Sequence, residues 1–325
     1  MGFSNFPNGI TSLGIPTFGT GILPPFTGKY FFVQETTTQG SAAGAGTASA
    51  PFNTIQEALA STVSGRNDVI FVTGTVHVTA PIAWSNSNVH LVGLCAPLKR
   101  GKRARISSSG STPFSYLFDV SGSGCIFSNF GTFYGFPTTG ATTPICWHDT
   151  GGRNNYDNVE FLGFGDATVT TGTANQTGAR AFQFNNNTGE ATFRNCVFGL
   201  DTVQRNATNY TLEIAGAAPR LTFENCDFES DLSSSGGASS HVLVGSLGID
   251  RYLKFKGCTF ISDTLSGGTA MAQGLNVSAS AGGVVMLDGC TSFGVTAWET
   301  SASNSVFNNM LIPTSGGTGG KMLVI

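Results

Sequence analysis

Charge is scarce in this sequence. Asp, Glu, Lys and Arg make up 11% of its 325 residues, against about 25% in an ordinary soluble domain. The 16 Lys and Arg and 19 Asp and Glu leave a formal net charge of −3. Bulk nucleic-acid binding needs a basic surface, so it is not expected. The Ala, Leu, Glu and Lys periods of coiled coils and helical bundles are missing. No stretch reaches the length of uninterrupted apolar residues that a membrane-spanning helix requires. Residues 1–25 carry no Lys or Arg and are broken by Pro7, Pro16, Pro24 and Pro25. They do not read as a secretion signal. The seven Cys include no CxxC pair, which argues against both a zinc site and a disulfide framework. There is no P-loop, no GxGxxG after a strand, no GxSxG and no HExxH. No cofactor or metal is expected.

Gly and Phe are abundant, at 44 and 26 residues. With so many apolar side chains the chain is not disordered, and the composition reads as all-β with a large apolar interior. One segment recurs as Phe193-Arg-Asn-Cys-Val-Phe198, Phe223-Glu-Asn-Cys-Asp-Phe228, Phe255-Lys-Gly-Cys-Thr-Phe260 and Leu287-Asp-Gly-Cys-Thr-Ser-Phe293. Weaker copies are Phe127-Ser-Asn-Phe-Gly-Thr-Phe133 and Tyr156-Asp-Asn-Val-Glu-Phe161. Their fourth positions, Phe130, Val159, Cys196, Cys226, Cys258 and Cys290, are spaced by 29, 37, 30, 32 and 32 residues. A second series begins at Leu117, Ile145, Phe182, Leu212, Val242 and Leu275, with spacings of 28, 37, 30, 30 and 33. Two series sharing one step indicate a solenoid whose turns stack on one another.

A strand of period two cannot place Phe193 and Cys196 on the same face unless the chain bends between them. The bend falls at Asn129, Asn158, Asn195, Asn225, Gly257 and Gly289, and Asn and Gly are the residues that tolerate the left-handed conformation. Each turn is therefore expected to hold two short strands meeting at a left-handed corner, followed by a variable loop. The outward position before the corner reads Asp157, Arg194, Glu224, Lys256, Asp288, so charge should alternate from rung to rung. Inside, Cys196, Cys226, Cys258 and Cys290 should form a column of small apolar groups. Phe161, Phe198, Phe228, Phe260 and Phe293 should form an aromatic one.

This arrangement, with its corner Asn residues, resembles the right-handed parallel β-helix of the pectate-lyase-like superfamily over about residues 66–300. The resemblance implies a single-stranded solenoid and leaves activity open, because that fold hosts many functions. The expected organisation is an apolar arm and linker at 1–50, a capping helix at 51–65, the β-helix at 66–300 and a tail at 301–325. In the capping helix Asn53 is the expected N-cap, with Ile55 and Leu59 on one face. The arm's Phe3, Phe6, Ile10, Leu13, Ile15 and Phe18 need a partner to bury against. The opening Met-Gly-Phe-Ser-Asn-Phe-Pro-Asn-Gly looks like the start of virion proteins of tailed bacteriophages.

Two candidate sites follow. A glycosidase needs two carboxylates, and Glu160 and Asp227 share the outward column after the corner. They stand two rungs apart, roughly 9–10 Å by stacking, with Glu229, Glu213 and Asp201 nearby in sequence. That column offers no second acid on an adjacent rung, and neither a calcium-binding acidic cluster nor an aromatic sugar groove is apparent. Lys99, Arg100, Lys102, Arg103 and Arg105 supply five of the 16 basic residues and read as a contact for an acidic partner surface. His77, His90, His148 and His241 are scattered and read as structural.

The reading is a non-enzymatic phage virion protein: a capsid decoration or cement protein, anchored by its N-terminal arm and forming a homotrimer. Its expected partners are itself and a major capsid or other virion protein, with no membrane and no nucleic acid. Its expected place is the capsid surface, after synthesis in the host cytoplasm. The alternative is a tailspike or fibre that binds or cleaves bacterial surface polysaccharide.

Overall fold

The computed structural model describes residues 28–35 and 44–299, apart from short breaks at 111, 138–142, 167, 169–171, 187–188, 234–238, 264–267 and 279–280. It also describes the backbone of 11–12, 15–16 and 306–308. Among these residues the strands sort into three long parallel sheets of ten, eight and seven strands, designated A, B and C. Each turn of the solenoid supplies one strand to each sheet. In the turn around Cys196, Ala191–Arg194 lies in sheet A, Val197–Arg205 in sheet B and Tyr210–Ile214 in sheet C. The next turn repeats the order with Ala218–Glu224, Asp227–Leu232 and Ser240–Val244. The recurring Phe-x-Asn-Cys-x-Phe segment spans the A–B corner, and the second recurring series supplies sheet C.

The corner geometry is as the spacing predicts. Asn129, Asn158, Asn195 and Asn225 have φ of 60°, 54°, 53° and 53°, and Gly257 and Gly289 both have 61°. The left-handed residue turns its N–H along the solenoid axis. The amide of Asn195 donates to Glu224 O at 3.0 Å, that of Asn225 to Lys256 O at 2.9 Å and that of Gly257 to Asp288 O at 2.7 Å. Side chains extend the ladder only in part, with Asn158 Nδ2 donating to Asn129 Oδ1 at 2.9 Å.

The outward charges align as predicted. Asp157, Arg194, Glu224, Lys256 and Asp288 are successive partners in sheet A, and Arg194 Nε lies 3.2 Å from Glu224 Oε2. Inside, the rings of Phe161, Phe198, Phe228 and Phe260 stack at 5.0, 4.9 and 4.7 Å. Cys196, Cys226 and Cys258 are buried and free, and burial pushes the Cys226 thiol up.

Three expectations need correction. Phe293 does not continue the aromatic column. The extra residue in Thr291-Ser-Phe293 pairs Ser292 with Phe260 and Phe293 with Ile261, so Phe293 faces outward and is 50% exposed. In the sheet C column, Phe118 and Trp147, rather than Leu117 and Ile145, align with Phe182, Leu212, Val242 and Leu275. The helix Ile55–Ser61 is capped by Thr54, not Asn53. Thr54 Oγ1 accepts from the Glu57 amide at 3.2 Å and Glu57 Oε2 accepts from the Thr54 amide at 3.0 Å, a reciprocal capping box. Ile55, Ala58 and Leu59 are its buried face.

Candidate acidic site on the outer face of sheet B

Outward positions of sheet B alternate with the inward Phe column. Asp227 opens the strand Asp227–Leu232, Phe228 points in, and Glu229 again lies on the outer side. Two residues along one strand span about 6.6 Å at the Cα atoms, so Asp227 and Glu229 are neighbours on one face. The paired acids therefore lie along a strand, whereas the sequence reading sought them across rungs.

The basic segment folds onto these acids. It leaves sheet A after Val89–Gly93 and re-enters sheet B at Arg105–Ser108. Arg100 Nη2 donates to Asp227 Oδ2 at 3.2 Å, Arg100 Nη1 lies 3.9 Å from Asp201 Oδ2, and Arg100 Nη2 also pairs with Glu229 Oε1. Lys99 Nζ meets Asp227 Oδ1 at 2.7 Å. One guanidinium nitrogen is thus shared by Asp227 and Glu229. Burial pushes the Glu229 carboxyl up to about 7, outweighing the opposing pull of Arg100, with Asp201 and Asp227 adding to the rise. Glu229 therefore exchanges its proton around neutrality rather than in the ordinary carboxylate range.

Glu160 has a different task from the one its column suggested. Its carboxylate accepts from the Gly101 amide at 2.6 Å and the Lys102 amide at 3.1 Å, which pins the basic segment to the sheet. Gly131 makes room for this, since a Cβ there would come within 2.6 Å of Glu160 Oε2. Lys102 is buried, with Nζ donating to Lys99 O at 2.7 Å, and burial lowers its pKa. Arg103 is exposed, and Arg105 lies over the Phe133 ring at 5.7 Å. Lys99, Arg100 and Lys102 therefore meet acids or carbonyls of their own chain. Glu213 is elsewhere, on sheet C, bonded to Arg180 at 3.0 Å and to Gln183 at 2.6 Å. His148 pairs with Asp119 at 2.8 Å and stacks on Tyr116. Of the arm residues, Phe3, Phe6, Ile10, Leu13 and Phe18 lie outside the described residues, and only the backbone of Ile15 is described. Among the described residues no group of three or more His, Cys, Asp or Glu is arranged to hold a metal ion.

The outward Phe293 lies in the same column as Glu229, reached through Ile261. Two rungs put it roughly 9–10 Å away. The sequence signal for it was the single inserted residue. The signal for Glu229 was its position two places after Asp227.

No family model matches the sequence, and no curated protein matches it. Solved structures do. A pectin methylesterase in complex with a hexasaccharide superposes with a TM-score of 0.51 at 13% identity, over 87% of this chain and 93% of that one. The chain folds as a right-handed parallel β-helix. Also similar are a pectate lyase (TM-score 0.47, 11% identity, 86% and 80% covered) and the pectin methylesterase PemA from Erwinia chrysanthemi (TM-score 0.43, 11% identity, 87% and 93% covered). The expectation of a non-enzymatic protein is overturned here. A solved structure that shares the fold is an enzyme, and the geometry removes one argument against catalysis, the lack of a second acid near Asp227. A second carboxylate stands beside Asp227, and an aromatic ring does face outward.

Proposed function

We propose that this β-helix binds and processes a polysaccharide on the outer face of sheet B. The observation that carries this reading is the pairing of Asp227 and Glu229 across one Arg100 nitrogen, with burial pushing the Glu229 carboxyl up to about 7. A buried, protonated carboxyl beside a second carboxylate is the arrangement that general acid catalysis at a glycosidic oxygen requires. In that role Glu229 donates the proton and Asp227 attacks the anomeric carbon or activates water. Two carboxylates close enough to share one nitrogen fit the short separation of a retaining enzyme better than the wide one of an inverting enzyme. Arg100 holds both groups in place, and the exposed Phe293 ring supplies a face for a sugar to stack on. The hexasaccharide bound by the pectin methylesterase that shares this fold supports the substrate class.

The test is incubation with a panel of neutral and acidic polysaccharides, reading three products separately. New reducing ends report hydrolysis, released methanol reports ester cleavage and unsaturated uronide absorbance reports elimination. New reducing ends that vanish in Glu229→Gln and in Asp227→Asn are expected. Unchanged turnover in both variants would sink the assignment. The virion setting rests on the N-terminal resemblance, and a polysaccharide site favours a spike over a cement protein within it. Deleting residues 1–26 should then release the protein from the particle while the β-helix stays folded.

A further inference from the structure

Beneath the sheet B surface, at the interior corner between sheets B and C, the core is polar. Arg205 is fully buried, its guanidinium carbon 3.7 Å over the Phe164 ring. Its Nη atoms donate to Thr211 Oγ1 at 3.2 and 3.1 Å, to Glu229 O at 2.8 Å and to Asn209 Oδ1 at 3.4 Å. No carboxylate forms an ion pair with it among the described residues, and its Nε–H has no acceptor. His241 is fully buried too, on the rung next to Thr211, between the pairs Tyr210↔Ser240 and Leu212↔Val242. Neither of its ring nitrogens has a partner. Burial, reinforced by the Arg205 charge, holds it well below the usual histidine range, so it is neutral. Its ring meets Phe260 edge-on at 5.8 Å. Two residues beyond Phe260 is Ser262, paired in the sheet with Ser230, and both hydroxyls are buried without partners.

Each of these groups is costly alone. An unsatisfied buried donor costs about 1–3 kcal/mol, and an uncompensated buried charge costs more. Together they offer one N–H of Arg205, one N–H of His241 and two hydroxyls on neighbouring strands, beside a guanidinium on which Asp231 acts electrostatically but with which no carboxylate among the described residues forms an ion pair. We propose that this corner is a binding site for a small inorganic anion of the halide class, held by Arg205 Nε, His241, Ser230 and Ser262. The site stands on different residues from the polysaccharide reading and is independent of it.

The full-length protein crystallised with sodium bromide tests the proposal by anomalous scattering, paired with thermal unfolding across sodium chloride, sodium bromide and sodium fluoride at constant ionic strength. A bromide peak at this corner is expected, together with a saturable rise in Tm for chloride and bromide. Ser262→Ala removes one donor while sparing the cation, and should raise the halide concentration at half-effect by about tenfold. Arg205→Met should abolish the response. If that variant does not fold, Ser262→Ala alone decides. A corner filled by water with no bromide peak, or a Tm that follows ionic strength alone, overturns the proposal.

Discussion

Glu229 owes its chemistry to the side chains around it. Burial lifts its carboxyl to about 7, so a reaction that uses its proton should slow as pH rises through that value. The pH–rate profile of wild type on a cleaved polysaccharide checks this, and a rate that climbs above pH 7 would exclude Glu229 as the acid. Stability follows the same sign. A folded-state pKa above the unfolded one means the native chain holds the proton more tightly. The resulting stabilisation is complete below about pH 4.3, the ordinary Glu value, and is lost as pH rises through 7. Glu229→Gln keeps a neutral group there, so its Tm should fall less than that of wild type between pH 6 and 8. His90 runs the other way: burial holds it at about 4, so the fold should lose stability as pH falls from about 6.5. Asp227 was legible as a site residue because the repeat fixes its column. Arg100 was not legible as its partner, since 127 residues separate them and no local pattern announces the contact.

The corners are the element most fully written in the sequence. Asn195 at φ 53° pays a steric cost that Gly avoids and that most other side chains bear in full. Asn195→Ala should lower stability by about 1 kcal/mol, while Asn195→Gly should be near neutral. Thermal melts of the two variants check this, and equal losses would show that the corner conformation is not the cause. The capping helix shows why boundaries slip by a residue. Asn53 and Thr54 are both good caps, and the choice falls to Thr54 because Glu57 sits three places on to reciprocate. The pinned basic segment depends on Gly131, which leaves space for the Glu160 carboxylate. Gly131→Ala should loosen residues 99–102 and reduce turnover on a cleaved polysaccharide without altering the far-UV spectrum of the β-helix.

At the scale of the molecule, stacked columns carry the fold, and the sequence shows them wherever the repeat keeps its count. Phe228 lies between Phe198 and Phe260 at 4.9 and 4.7 Å, and Phe228→Ala should cost about 3–5 kcal/mol, measured as lost Tm. Arg194→Glu would set three acids on successive rungs. It should cost less than about 1 kcal/mol per contact and recover in high salt. Where the count changes by one, at Phe293, side-chain direction inverts and periodicity misleads. The basic segment has a consequence for the timing of synthesis. Arg105 and Asp227 are four rungs apart in sheet B, about 19 Å, so a loop from an early turn closes on acids from a much later one. A nascent chain leaves the ribosome N-terminus first, and residues 99–102 emerge well before Asp227 and Glu229 exist to receive them. Lys102 can dock once Glu160 is made, whereas Arg100 must wait for a further seventy or so residues. The buckle therefore closes late, over turns already wound, and the Asp227–Glu229 pair is completed only after most of the solenoid beneath it is in place.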